Sequence, residues 1–337
     1  MAEHEATRKV SPRRSEFEEA EADARRTWDA AVEAVPRDMV DRRVLPQQRS
    51  VKDLVAHIAA WERWGAERLR ATIAGRPLEP TGEWEPYEHA FNARAYARWW
   101  DASWATVRTE ALDAYRAFWT AEWQLSDEQL FGPGGRERMI VACGSEHYAP
   151  YVAQIRDALE SLPPLTTIET ARLRLRSFRP SDAPALFEVF GDPEVRRYLP
   201  PGPAPTLERI RRAVDRRVGH ERAHGFGLWA VERRDTGELI GDCGPLLVDW
   251  TGPEIEIAYH YRRSAWGQGL GTEAAVAALA RCFGPLGLER VIAICFPENT
   301  ASWRVMEKAG MRHEGEAEYY GIRMKKYAAE GATWASR

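Results

Sequence analysis

Cysteine is scarce in this chain, and the four present, Cys143, Cys243, Cys282 and Cys295, stand far apart with no Cys-x-x-Cys pair. That excludes a disulfide framework and a structural zinc site, and leaves buried free thiols as their reading. Lysine is nearly missing, confined to positions 9, 52, 308, 325 and 326, so arginine carries the positive charge. Such a bias reads as a trace of a GC-rich coding sequence rather than of function. No apolar run approaches the roughly 20 residues of a membrane span, which predicts a soluble protein with no membrane partner. The first ten residues mix both charge signs and no apolar stretch follows, so neither a secretory signal nor a basic transit peptide is read there, and the cytoplasm is expected. An excess of positive charge is also lacking. At a net charge of -4 the chain has no general affinity for phosphate backbones, which removes nucleic acid from the expected partners.

What is present divides in two. A length of 337 residues suits two cores better than one. Helical periodicity, with apolar residues three and four apart, predicts helices near 14–35, 50–74, 88–123 and 143–160. Ser50 with Asp53 three residues on reads as a capping box, and Val51, Leu54, Val55, Ile58 and Trp61 then form one apolar stripe. Paired prolines at Pro163 and Pro164 break the pattern. Beyond them, alternating segments near 171–176, 227–232, 238–242 and 254–261 read as strands, with another at 291–296. Helices are expected near 181–190, 206–224, 272–284 and 299–309. The predicted organisation is an all-α four-helix bundle over 12–160, a linker over 161–167, and a mixed α/β domain over 168–337.

The chemistry centres on Trp266, Gly267, Gln268, Gly269, Leu270, Gly271 and Thr272, which lie between a predicted strand and a predicted helix. Strand, glycine loop, helix is an anion-binding arrangement, because glycine lets the backbone approach closely and the first helical turn offers unpaired amides at the positive dipole end. A tight glycine turn without a ligand would read the same, so context decides. A nucleotide-hydrolysing P-loop needs Gly-Lys followed by Ser or Thr, and no lysine stands here. A dinucleotide fingerprint needs glycine at 272, where threonine stands.

Three segments in order, Glu256 to Tyr259, Trp266 to Ala274 and Asn299 to Met311, resemble the GNAT superfamily of acetyltransferases. Within it they are most similar to the branch that acetylates ribosomal proteins, and the likeness extends to Glu169 to Arg176. The superfamily often has Arg or Gln three residues before the middle glycine, where this chain has Trp266. The resemblance implies an α/β fold with a mixed, mostly antiparallel sheet, acetyl-CoA as cofactor, and direct attack of a primary amine on the thioester. It implies cofactor contacts from the backbone of His260, Tyr261 and Arg262, from Gly267 to Thr272, and from Asn299. Glu256 alternates with Ile255 and Ile257, and the resemblance places its face on the substrate cleft, which makes it the candidate general base. Asn299 and Ser302 also suit a helix cap. Ser302 is a candidate proton donor to the departing thiolate, as are Tyr319 and Tyr320, with Tyr320 completing the catalytic set.

Nine of the fourteen tryptophans fall in the first half. Residues 49–64, together with Glu146 to Ile155, resemble the DinB-like four-helix bundles, in particular the branch of a self-resistance protein against a genotoxin. Metal-binding members of that family use a histidine in the second helix and a His-x-x-x-His pair in the last. His57 and His147 match, but Tyr151 stands at the third position, so no metal is expected. His57 is expected as a hydrogen-bonded core histidine. Trp61, Trp64 and Tyr151, with the two histidines, are candidate pocket residues. The resulting reading is an N-acetyltransferase acting on a small-molecule amine in detoxification or self-resistance, with an accessory bundle. The alternatives are acetylation of a protein N-terminus and a ligand-sequestering protein that senses acetyl-CoA; a homodimer is left open.

Overall fold

The structure, a computed structural model, describes residues 10–78 and 83–334. It divides into two compact units, 1–158 and 159–337. The first unit is helical: α1 Pro12–Glu33, α2 Val51–Ile73, α3 Trp84–Trp99, α4 Trp104–Gln124, the short α5 Asp127–Phe131 and α6 Glu137–Cys143, and α7 Ser145–Glu160. Helix α2 begins as expected. Ser50 Oγ accepts from the Asp53 amide, and the Asp53 carboxylate accepts from the Ser50 amide at 2.8 Å. The helix expected over 88–123 is two helices, because Ser103 caps α4 by accepting from the Thr106 amide at 3.1 Å and the chain turns there. A capping serine inside an apolar-periodic stretch ends the helix that periodicity alone would continue. The expected 143–160 helix starts at Ser145, after Gly144 ends α6.

The second unit is one eight-stranded sheet with helices on its faces. Its strands are β1 Thr167–Glu169, β2 Leu173–Arg176, β3 Trp229–Arg233, β4 Leu239–Leu247, β5 Ile255–Tyr261, β6 Arg290–Cys295, β7 Arg312–Tyr319 and β8 Ile322–Glu330, in the order β1-β2-β3-β4-β5-β6-β8-β7. The β5–β6 pairing is parallel and the others are antiparallel, which gives the mixed, mostly antiparallel sheet that the resemblance implies. Helices α8 Ala183–Gly191, α9 Pro193–Arg196 and α10 Leu207–His224 precede β3, and α11 Leu270–Phe283 and α12 Thr300–Lys308 flank β6. Hairpin β7–β8 has no counterpart among the expected elements, since β7 (Arg-His-Glu-Gly-Glu-Ala-Glu-Tyr) is largely exposed and carries no apolar alternation.

The sheet's core side is set by strand alternation. Ile257 and Tyr261 of β5 pack with Leu270, Ala274, Ala275 and Ala278 of α11 and with Val291 and Ala293 of β6. Glu256, Ala258 and His260 therefore face the other way. All four cysteines are free and buried, as composition implied. Among the described residues no helix is long and apolar enough to cross a membrane.

Candidate active site

Strands β5 and β6 meet in register at one position, Glu256 opposite Ile292, and part beyond it. The parting opens a wedge whose backbone groups can be assigned. Arg262 gives its amide to the Ile240 carbonyl at 2.9 Å. Hydrogen-bonding edges alternate along a strand, so His260, paired with Asp242, also turns its backbone toward β4. The amides of His260 and Arg262, expected to face the cofactor, are thus spent on β4, and Tyr259 and Tyr261 present theirs to the wedge. The side chain of His260 has a separate engagement. Its Nδ1 lies 2.7 Å from Asp242 Oδ1, and Asp242 Oδ2 accepts from Arg217 Nη2 at 2.7 Å. Burial alone would raise the Asp242 carboxyl, but His260 and Arg217 outweigh it and hold the group below the usual range.

The glycine loop follows. Gly267 and Gly269 take φ values of 73° and 76°, a left-handed conformation that costs any other residue about 1–2 kcal/mol. At Gly271 the reason is space, since a Cβ would sit 3.2 Å from the Tyr261 ring. The first bond of α11 runs from the Glu273 amide to the Gly269 carbonyl, so the amides of Leu270, Gly271 and Thr272 belong to the unpaired first turn. Trp266, where the superfamily often has Arg or Gln, donates its indole N–H to the Tyr261 carbonyl at 2.8 Å and ties the loop to the end of β5. The Gln268 side chain donates to the Ser264 carbonyl at 2.7 Å. Arg172 braces the loop from outside, donating to the Glu273 carboxylate at 2.7 Å and to the Gln268 carbonyl at 2.9 Å. Neither Arg172 nor Glu273 was singled out from the sequence, and the only sequence signal for their pairing was opposite charge. A groove of about 560 Å³ runs beside the loop along α11, lined by Thr170, Gly269, Thr272, Glu273, Val276, Ala277 and Ala280. Positive-φ glycines, free first-turn amides and an adjoining wedge fit a pyrophosphate with an extended arm, which is the shape of coenzyme A.

Glu256 is 7% exposed. Burial pushes its carboxyl up to about 8, and the Tyr320 hydrogen bond acts in the lowering direction. The Tyr320 hydroxyl donates to Glu256 Oε2 at 3.4 Å and accepts from the Asp249 amide at 3.3 Å. Across the sheet, Tyr259, on the Ile257 side of β5, donates to the Ser302 carbonyl at 2.9 Å and lies 3.1 Å from Ser302 Oγ. Asn299 caps α12, its side-chain oxygen accepting from the Ser302 amide at 3.2 Å. Tyr319 is engaged elsewhere, with Glu254 at 2.7 Å. The structure therefore groups Glu256 with Tyr320, and Ser302 with Tyr259 and Asn299. Tyr259 was missed because nothing local in the sequence marks a tyrosine that crosses from a strand to a helix 43 residues away.

In the helical unit, His57 and His147 face each other with Nε2 atoms 2.9 Å apart, and the Tyr151 hydroxyl is 3.1 Å from His57 Nε2. Burial lowers His57 to about 3, helped by His147, and His147 to about 4, so one neutral ring donates to the other. The third position is the Tyr151 phenol, and among the described residues no group of three His, Cys, Asp or Glu side chains that could hold a metal ion is present. The His57 expectation of a hydrogen-bonded core histidine matches this arrangement. Trp61 packs against Phe91 at 4.4 Å and Trp64 at 5.3 Å, and its indole donates to Asn92 at 3.0 Å. Trp64 donates to the Tyr87 hydroxyl at 2.7 Å, and half-exposed Trp84 lies 5.8 Å from Trp61. These rings form one aromatic cluster between α2 and α3.

An acetyltransferase (GNAT) domain model matches residues 172–312. YoaA of Bacillus subtilis (strain 168), described as an uncharacterized N-acetyltransferase, is 33% identical over 157 residues, 45% of this chain and 86% of its own. YnaD of the same organism, also described as an N-acetyltransferase, is 36% identical over 149 residues, 44% of this chain and 84% of its own. Among solved structures, a GNAT-family acetyltransferase from Bacillus anthracis shares 30% identity, covers 50% of this chain and 99% of its own, and has a TM-score of 0.44.

Proposed function

We propose, from the premise that the chain belongs through its second unit to the GNAT family of N-acetyltransferases, that it moves the acetyl group of acetyl-CoA onto a primary amine by direct attack, with Glu256 as the base. The observation that carries this reading is a buried carboxylate, pushed up to about 8, at the point where β5 and β6 part. A base titrating near the working pH combines a populated basic form with enough proton affinity to be useful. When bound, acetyl-CoA supplies a thioester, an acetyl group already activated toward amines. The amides of Leu270, Gly271 and Thr272 hold its pyrophosphate in this reading, and the wedge-facing amide of Tyr259 polarises the carbonyl as charge develops. Glu256 takes one proton from the ammonium, and the second amine proton goes to sulfur as the C–S bond breaks. Ser302, fixed by Tyr259 and Asn299, stabilises the sulfur side by hydrogen bonding.

The acceptor in this reading is a small-molecule amine, and the helical unit is a DinB-like bundle whose aromatic cluster binds an apolar compound in a detoxification or self-resistance role. CoA release is the assay, with polyamines, amino-sugars and short peptides as acceptors, for the wild type and Glu256→Gln. A general base contributes on the order of 10²–10⁴ in rate, so turnover in the variant should fall at least about 100-fold. Unchanged turnover removes Glu256 from the mechanism. Activity confined to peptides moves the substrate class to protein N-termini.

A further inference from the structure

Three residues that are not glycine, Asp249, Trp250 and Tyr320, adopt left-handed φ values of 52°, 62° and 54° within two turns of the second unit. Bulky residues avoid that region, and their presence asks for something that holds them there. Tyr320 and Gly321 form the two-residue turn of hairpin β7–β8, between the paired Tyr319 and Ile322. Asp249 and Trp250 lie in the connection between β4 and β5. Across the gap between these turns, the Asp249 amide donates to the Tyr320 hydroxyl, and that hydroxyl donates to Glu256 Oε2. Two turns distant in sequence thus converge on the one buried carboxylate of the proposed mechanism.

We propose that Tyr320 is the positioning residue for Glu256, holding Oε2 so that Oε1 is left to the incoming ammonium, and that it is not the acid that protonates the departing thiolate. This rests on the reading of Glu256 as the base. Side-chain alternation along β5 is the main argument. Glu256 and Tyr320 lie on one face of the sheet, whereas Tyr259 and Ser302 lie on the other. Amine and leaving sulfur bond the carbonyl carbon from different directions, so a group committed to the base side is badly placed for sulfur. Energetics agree, since burial and the neighbouring Glu256 push the Tyr320 phenol up to about 12, well above an ordinary thiol near 8.5, so proton transfer from it to the thiolate runs uphill. Burial and the Tyr320 hydrogen bond are what act on the Glu256 carboxyl; of the carboxylates that meet the two tyrosines of the turn, Asp249 is exposed and half-buried Glu254 is bound by Lys326 and Tyr319. At 3.4 Å the Tyr320 bond is long, as catalytic hydrogen bonds often are before substrate arrives.

The experiment is the pH profile of kcat/KM for the wild type, Tyr320→Phe and Glu256→Gln, with thermal melts confirming that each variant is folded. Phenylalanine removes a donor that favours the carboxylate, so the acid limb, where Glu256 takes up its proton, should move up by about one pH unit and kcat/KM just above the wild-type limb should fall with it, while KM for acetyl-CoA stays within a few-fold. A limb that stays in place while kcat falls at every pH would assign Tyr320 to the thiolate and overturn the proposal, and an unchanged profile overturns it equally. If Glu256→Gln keeps the wild-type limb, the base lies elsewhere and the premise fails with it. If that limb vanishes in Glu256→Gln but does not move in Tyr320→Phe, the premise stands and only the role of Tyr320 is lost.

Discussion

Burying a base has a cost in stability, and Glu256→Gln should recover it. In the unfolded chain a glutamate titrates near 4.3, whereas in the fold Glu256 is pushed up to about 8. The native state therefore binds more protons than the unfolded state between those values, and stability falls as pH rises through the window. At about 1.4 kcal/mol per pH unit, the destabilisation relative to a neutral isostere is about 2 kcal/mol at pH 6 and approaches about 5 kcal/mol at pH 9. Glutamine keeps the shape and still accepts from Tyr320, but brings a new buried N–H₂, which offsets about 1–3 kcal/mol at every pH. The stability difference between variant and wild type should thus grow by about 3 kcal/mol from pH 6 to pH 9, whatever its starting value. Denaturant melts at both pH values measure it, with the transition of the second unit identified as the one that coenzyme A shifts upward. A pH-independent difference would mean that Glu256 is ionised in a solvated setting at neutral pH, and the argument for it as a tuned base would fail with that result.

Two further substitutions probe the loop and the sheet. Gly269→Glu places a side chain at a φ of 76°, within reach of Arg172, and sets negative charge against the anion cradle; calorimetry should show acetyl-CoA affinity lowered by at least about 100-fold, and retained affinity would relocate the cofactor. Asp242→Asn leaves Arg217 buried beside a neutral partner, at a cost of about 3–5 kcal/mol in melts at neutral pH. Asp242 is held below its usual range, so that contribution is present above the unfolded Asp range near 3.9 and is lost as pH falls through the lower folded value. A loss under about 1 kcal/mol would show that water reaches the pair.

Much of the second unit was legible because its signals are local. Capping, alternation and glycine spacing each act within a few residues, so α10, α11, α12 and strands β2 to β6 fall close to where periodicity puts them. The loop was legible for the same reason, its positive-φ glycines being a requirement on single residues. In the first unit one local signal overrode another, and the Ser103 cap divided a helix that apolar spacing would have continued. His57 was legible as an inward residue from the stripe on α2, whereas His147, 90 residues away, was brought beside it only by the resemblance to the DinB-like bundles.

What stayed hidden is what the active site is built from. Glu256 could be named because it alternates with isoleucines, yet its proton affinity depends on burial contributed by the whole sheet and on a tyrosine 64 residues further on. Tyr320 was available only as one of a neighbouring pair, because β7 carries polar residues that give no strand period. The turn decides between the two. Tyr319 closes the last β7–β8 pair and bonds Glu254, whereas the left-handed φ of Tyr320 turns its ring back over β5. A one-residue change in turn length would exchange these fates, placing a different side chain against Glu256. The length of that turn, more than the identity of either tyrosine, therefore sets which hydroxyl meets the base.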